Sequence, residues 1–264
     1  MNEMFERAKK SSNEKGITLV ITTYRRNSTL KTLLKSLLRQ QLNIPLELII
    51  VNNYGNQRLK SSLFTSIGRQ IRQFDDVKIH NLNTNQGCSI RYSIATFSHY
   101  ETIMFLDDDI ELLSSDFVQH MYEFHREKTK KDIISCWCAV FRDDLNYCNT
   151  IGYNFENSDK SNEVDLVGPG ISMFDKSILQ LDIVDIPFKY RDVDNIWFSI
   201  IPTLLLGSKK YYFPSNNMLR FVKNNVHAMF LRANMTELKN RATRELVDLG
   251  YRPLLMRMDK NKDK

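Results

Sequence analysis

The sequence predicts an α/β fold with a mainly parallel sheet and helices on both of its faces. Short apolar, β-branched runs alternate with segments of helical periodicity between residues 17 and 115. That rhythm requires right-handed crossovers and a sheet covered on both sides, as in Rossmann-like folds. Beyond residue 115 the alternation gives way to broken strands and polar stretches, so the second half is built differently and no internal repeat is present.

The first 16 residues, MNEMFERAKKSSNEKG, are polar and charged and form a lead-in outside the core. ITLVITT, 17–23, is a buried strand. Asn27 or Ser28 can cap the next helix, whose Leu30, Leu33, Leu34, Leu37 and Leu38 share one face. LELIIV, 46–51, is the second strand, 57–74 a helix, VKIHNL, 77–82, the third strand, and 86–99 a third helix. ETIMFL, 101–106, is the fourth strand and delivers three acids at its carboxyl end. DFVQHMYEFHREKTKK then reads as an amphipathic helix and DIISCWCAVF as one strand, on which Cys136 and Cys138 alternate to the same buried face. Residues 142–163 read as a polar loop, VDLVGPGISMF as strand around a Gly168-Pro169-Gly170 turn, and DVDNIWFSIIPTLLLG as a helix ending at Gly207. The resulting segments are 1–16, 17–115, 116–225 and a helical C-terminal extension, 226–264.

Composition narrows the chemistry. Four cysteines without zinc-type spacing fit a reducing, cytoplasmic setting, and no apolar stretch reaches the ~18 residues of a membrane span. A net charge of +6 favours an anionic ligand, and the basic tail MRMDKNKDK offers a peripheral contact with an anionic membrane surface. No aromatic-interleaved basic motif points to nucleic acid.

In open parallel sheets, ligands bind beyond the carboxyl ends of the strands. That rule sets ITTYRR, VNNYG, NTNQG and the triplet Asp107, Asp108 and Asp109 along one rim. Three adjacent carboxylates repel one another, and a hard divalent cation, Mn2+ or Mg2+, would balance them while also holding phosphate oxygens. A Gly-rich phosphate loop is missing, since ITTYRR contains no glycine, which argues against a sugar nucleotidyltransferase.

The strings VITTYRRNSTLKTLLKSLLRQQ, LELIIVNNYGN, NTNQGCSIRYSIA and MFLDDDIEL occur in that order. Together they resemble the family 2 glycosyltransferases of the GT-A fold over most of residues 17–215. The resemblance implies a GT-A fold with a nucleotide-sugar-binding half, 17–115, an acceptor-binding and catalytic half, 116–225, and an acceptor-side C-terminal extension. It implies that Thr22, Tyr24, Arg26, Asn52, Arg91, Asp107 and Asp108 hold the donor, with Asn52 standing where the family has an acid that recognises the base. Asp107 and Asp109 fit the DxD spacing for the metal, Asp108 can replace either, and His227 is a further metal ligand. KYRDVDNIWFS aligns with the family's acidic segment, with Asn195 where a second acid is usual. Asp194 is then the first choice and Asp192 the second for the general base.

The implied function is inverting transfer of a hexosyl or N-acetylhexosaminyl unit from a nucleotide diphosphate sugar, UDP-linked, to a hydroxyl of a glycan or lipid-linked glycan. Asn52 and Asn195 keep a second reading open: a catalytically inactive nucleotide-sugar or glycan-binding shell. The sequence leaves the oligomeric state open.

Overall fold

The strand run 17–23 is buried almost throughout and sits in the middle of the main sheet. The computed structural model describes residues 15–60, 73–154, 158–222 and 234–259. In chain order, its first half comprises β1 (Ile17–Thr23), α1 (Asn27–Leu37), β2 (Leu46–Asn52), β3 (Asp76–Asn81), α2 (Ile90–Ala95), β4 (Thr102–Asp107) and β5 (Ile110–Leu112). The second half contributes α3 (Phe117–Arg126), β6 (Ile133–Ser135), β7 (Trp137–Val140), β8 (Ile151–Asn154), β9 (Leu166–Val167), β10 (Ile171–Asp175), α4 (Leu181–Val184) and α5 (Asp194–Leu206). It closes with β11 (Lys210–Tyr212), β12 (Leu219–Phe221), α6 (Met235–Asp248) and α7 (Leu254–Asp259).

Seven strands form the main sheet in the order β11-β6-β10-β4-β1-β2-β3, and β10 alone among them runs against its neighbours. Two smaller antiparallel sheets, β12-β5 and β8-β7-β9, complete the pairing. The period-2 alternation of the central strands divides their side chains between two cores. Leu19, Ile21, Leu48, Ile50, Met104 and Leu106 pack with Leu30, Leu33, Leu34 and Leu37 of α1. Val20, Ile49, Val51, Ile103 and Phe105 pack with Tyr92 of α2 and Phe198 and Ile200 of α5. Helices thus cover both faces, as the alternation predicts. Among the described residues no helix is long and apolar enough to cross a membrane.

Several elements differ from expectation. The helix expected over 86–99 is only Ile90–Ala95, because Gly87 adopts a left-handed φ of 77° and Asn53 pins the loop before it. DIISCWCAVF is two strands: β6 pairs within the main sheet, whereas β7 pairs with β8 and β9. At the break the Cys136 N–H donates to the Ile171 carbonyl. The crossing between sheets puts Cys136 in one core and Cys138 in the other, not on a shared face. No disulfide joins any of the four cysteines. The polar stretch 142–163 includes strand β8. α5 ends at Gly207, which adopts the left-handed conformation that favours glycine there. Most of the helix expected over 57–74 lies outside the described residues, as do much of the lead-in, His227 and the end of the basic tail.

Candidate active site

β2, β1 and β4 are adjacent and parallel, so Asn52, Thr23 and Asp107 end on one edge. The chain runs outward from β1 to β2 and β3, then returns to β4 on the other side of β1. That reversal opens the crevice in which such sheets take ligands.

The three acids do not share one environment. Asp107 ends β4 opposite Thr22, and its side chain is 40% exposed. Arg91 Nη1 donates to its Oδ1 at 3.0 Å. The Asp107 N–H donates to the Gly170 carbonyl at 2.7 Å, and the carboxylate lies so close to Gly170 that a Cβ there would sit 2.0 Å from Oδ2. Asp108 points into the protein. Thr23 Oγ1 donates to its Oδ2 at 2.6 Å, and Arg26 Nη1 to its Oδ1 at 3.1 Å. Burial pushes the Asp108 carboxyl up to about 7 against the pull of Thr23 and Arg26. The same Arg26 nitrogen donates to Asp109 Oδ2 at 2.7 Å, while burial and then Asp107 raise the Asp109 carboxyl above its ordinary range.

Arg26 and Asp108 therefore brace β1 against the acidic turn, with both carboxylate oxygens of Asp108 engaged. Burial opposes the charge on Arg26, but the carboxylates of Asp108 and Asp109 outweigh it and hold the guanidinium protonated. Asp107 is the acid turned most toward solvent.

Arg91 links this turn to the opposite wall. It is buried on α2, and its Nε lies 3.7 Å from Asp194 Oδ2. Tyr92, the next residue, donates its hydroxyl to the same Oδ2 at 3.2 Å. Asp194 opens α5, where the free N–H groups favour a negative charge. Its carboxyl is nevertheless raised above the ordinary range, because burial outweighs Arg91. Asp192 sits two residues earlier with 21% of its side chain exposed and lies 3.9 Å from Arg191 Nε. A Cβ at Gly87 would come 3.1 Å from Asp192 Oδ1, so the glycine lets the loop after β3 approach this carboxylate. Of the two acids Asp192 is the more exposed, at 21% of its side chain against 8% for Asp194. Asn195 brings its amide within 3.5 Å of the Tyr147 hydroxyl.

On the other side of β1, Thr22 Oγ1 is buried with no hydrogen-bond partner, a rare condition that a bound polar ligand would relieve. Tyr24 meets Tyr54 edge to face at 5.5 Å, and the Arg25 guanidinium lies 4.4 Å from the Tyr54 ring centre. Asn52 is turned inward. Its amide donates to the Gln57 carbonyl at 2.6 Å and Asn81 Oδ1 at 2.9 Å, which shapes the 52–59 loop and leaves its N–H groups engaged. Tyr54 and Asn53 complete the rim and Tyr92 lies buried behind it, none of the three singled out as site residues in the sequence, while Gly170 of the GPG turn packs against Asp107. The polar density of NNYG and the paired glycines of GPG were the available signals.

Among the described residues no cluster of three or more His, Cys, Asp or Glu is arranged to hold a metal. The fit to a divalent ion rests on two hard carboxylates, Asp107 and Asp109. Arginine engages Oδ1 of the former and Oδ2 of the latter, so each retains a second oxygen.

The sequence profile described as Glycosyl transferase family 2 matches residues 18–180, and the chain belongs to that family. No curated protein sequence matches it. Among solved structures, S. aureus TarS aligns with a TM-score of 0.52 at 11% identity, covering 88% of this chain and 42% of TarS. S. aureus TarS 1–349 in complex with UDP-GlcNAc gives 0.57 at 13% identity, covering 82% of this chain and 61% of that one. GalNAc-T7 with UDP, GalNAc and Mn2+ gives 0.58 at 12% identity, covering 76% and 43%. These likenesses are of fold and agree with a GT-A architecture. The chain spans 42% to 61% of the length of these three structures.

Proposed function

We propose that this chain transfers a sugar from a UDP-linked donor to a hydroxyl of a glycan or lipid-linked glycan with inversion at the anomeric carbon. The observation that carries this reading is the arrangement at the strand ends. The partnerless Thr22 hydroxyl, the Tyr24–Tyr54 pair and the Arg91–Asp107 pair lie on one edge, and Arg91 joins that edge to the start of α5. The bound UDP and sugars of the fold relatives support the donor class.

In this reading Tyr24 and Tyr54 face the base and Arg91 holds diphosphate oxygens through its fixed donors. Asp107 and Asp109 would hold Mn2+ or Mg2+, which supplies charge neutralisation for the departing diphosphate. Asp192 takes the acceptor proton as that oxygen forms its bond to the anomeric carbon and the bond to the diphosphate breaks. Asp194 is a positioning residue that keeps Arg91 in place. A hexosyl or N-acetylhexosaminyl donor fits this scheme equally. A cytoplasmic setting, with the basic tail at an anionic membrane surface, would suit a lipid-linked acceptor.

A second reading, donor binding without turnover, is favoured by one observation: all three acids of the turn are paired with arginine. NMR of the protein with UDP-sugars, Mn2+ and candidate acceptors separates the two. Release of UDP that Asp107→Asn abolishes supports the enzyme. Saturable donor binding with no UDP release for any acceptor supports the binder.

A further inference from the structure

α6 lies against α5 and against the tight helical turn Tyr147–Asn149, and so brings the C-terminal extension to the wall that carries Asp194. Asn240 fixes that turn. Its Oδ1 accepts the Tyr147 N–H at 2.8 Å, and its Nδ2 donates to Asn146 Oδ1 at 3.3 Å. Leu145, just before, adopts a left-handed φ of 54°, which a bulky side chain takes only where its surroundings hold it. One residue before Asn240, the Lys239 ammonium sits 4.0 Å from the centre of the Tyr147 ring. The hydroxyl of that ring meets the Asn195 amide at 3.5 Å, one residue along α5 from Asp194. Lys239 is partly buried, yet among the described residues its ammonium makes no ion pair or hydrogen bond. The ring offsets part of the cost of drawing that charge out of water, and an anion would offset more. The acids of these segments are engaged elsewhere: Asp144 accepts the Asn146 N–H and the Asn149 amide, and Asp194 faces Tyr92 and Arg91. Burial raises the Asp194 carboxyl, and the charge of Lys239 is among those that draw it back down, so Lys239 is within electrostatic reach of that wall.

We propose that Lys239, held on the Tyr147 ring with the Asn195 amide beside it, binds an anionic group of the acceptor, a phosphate or a carboxylate, at the start of α5. This rests on the transferase reading and gives its acceptor a charge. In that reading Arg91 serves the donor diphosphate from α2, whereas Lys239 approaches the same wall from α6. The two cations therefore belong to different substrates. An acceptor that carries an oxyanion gains a charge-assisted contact with Lys239 that its neutral counterpart lacks.

The full-length protein is titrated by calorimetry with UDP in Mn2+, and then, with UDP saturating so that Arg91 is occupied, with glucose 6-phosphate, glucuronate and glucose. The proposal expects saturable binding of at least one of the two anions and none of glucose over the same range. Lys239→Met should weaken that binding by about tenfold or more, and Lys239→Arg should restore most of it. Lys31→Met, which removes an exposed cation from α1, should leave it unchanged. Thermal melting shows whether each variant folds, and Lys239→Gln takes the place of Lys239→Met should the latter not. No binding of either anion, binding of glucose equal to theirs, or a loss no greater in Lys239→Met than in Lys31→Met overturns the proposal. Failure of UDP to bind removes the transferase reading itself, and the anion site at Lys239 then stands or falls on the same three titrations without UDP.

Discussion

Gly170→Ala is a small substitution with a large expected effect. The added Cβ would stand 2.0 Å from Asp107 Oδ2 and 2.4 Å from its Cγ, against a practical limit of 3.0 Å. The carboxylate must therefore retreat by about 1 Å, the difference between those values. Two bonds oppose the retreat: the 3.0 Å contact from Arg91, and the 2.7 Å bond from the Asp107 N–H to the carbonyl of residue 170 itself. Crowding of this kind costs roughly 1–3 kcal/mol of stability. A displacement of about 1 Å in a positioned catalytic group can cost about 100-fold in rate, or about 2.7 kcal/mol of barrier. UDP release measured by NMR, together with thermal melting, reads both quantities. Gly152→Ala is the control, because a Cβ there meets nothing within 4 Å. Turnover by Gly170→Ala within about threefold of wild type would refute the idea that the Asp107 position is set by this glycine.

Other expectations follow from the same geometry. Asp192→Asn should lower kcat by about 100-fold or more while leaving donor affinity near wild type, because it removes only proton acceptance. Asp194→Asn should instead weaken donor binding by loosening Arg91. The opposite pattern in kinetics and calorimetry would return the base to Asp194. Lys210 is buried, its Nζ donates to the Ser199 carbonyl at 2.8 Å, and burial pushes its ammonium down to about 7 against the pull of Asp165. Its folded pKa lies below its unfolded value, so the unfolded chain holds the extra proton between about pH 7 and 10.5 and stability gains with rising pH. The shift bounds that gain at about 5 kcal/mol. Urea melts at pH 7 and pH 9 should show less of this rise in Lys210→Met, and an unchanged pH slope would contradict it. Leu37→Ala, at the foot of α1 against the sheet, should cost about 2–5 kcal/mol in the same melts without altering the pH slope.

The parts of the fold that could be read from the sequence are those whose environment is uniform along the chain. β1 and β2 are buried at almost every position, so apolar β-branched runs mark them directly. The leucines of α1 meet one face of the sheet, so their spacing marks the helix. Where the chain changes partners, periodicity fails: nothing in IISCWCAV shows that Cys136 ends its stay in one sheet and Cys138 begins in another.

The site divides in the same way. The acids at the end of β4 were legible because a strand end has a fixed place in such a sheet. Their division of labour was not, because Asp108 turns inward to Thr23 and Arg26, which lie more than 80 residues away in the chain. The contrast between the partly exposed Asp192 and the buried Asp194 likewise depends on α2, whose Arg91 and Tyr92 pack against Asp194, a tertiary fact that two acids in RDVDN cannot carry.

The central claim is that the edge formed by Thr22, Tyr24, Arg91 and Asp107 binds a nucleotide diphosphate sugar. Calorimetric titration of the wild-type chain and of Arg91→Met with UDP-GlcNAc, UDP-GalNAc and UDP-glucose, in Mn2+ and in Mg2+, tests it most directly. The account predicts saturable binding of at least one donor to the wild type, weakened about 10- to 100-fold in Arg91→Met by loss of charge-assisted hydrogen bonds. Binding of no donor, or binding unaffected by the loss of Arg91, would contradict it.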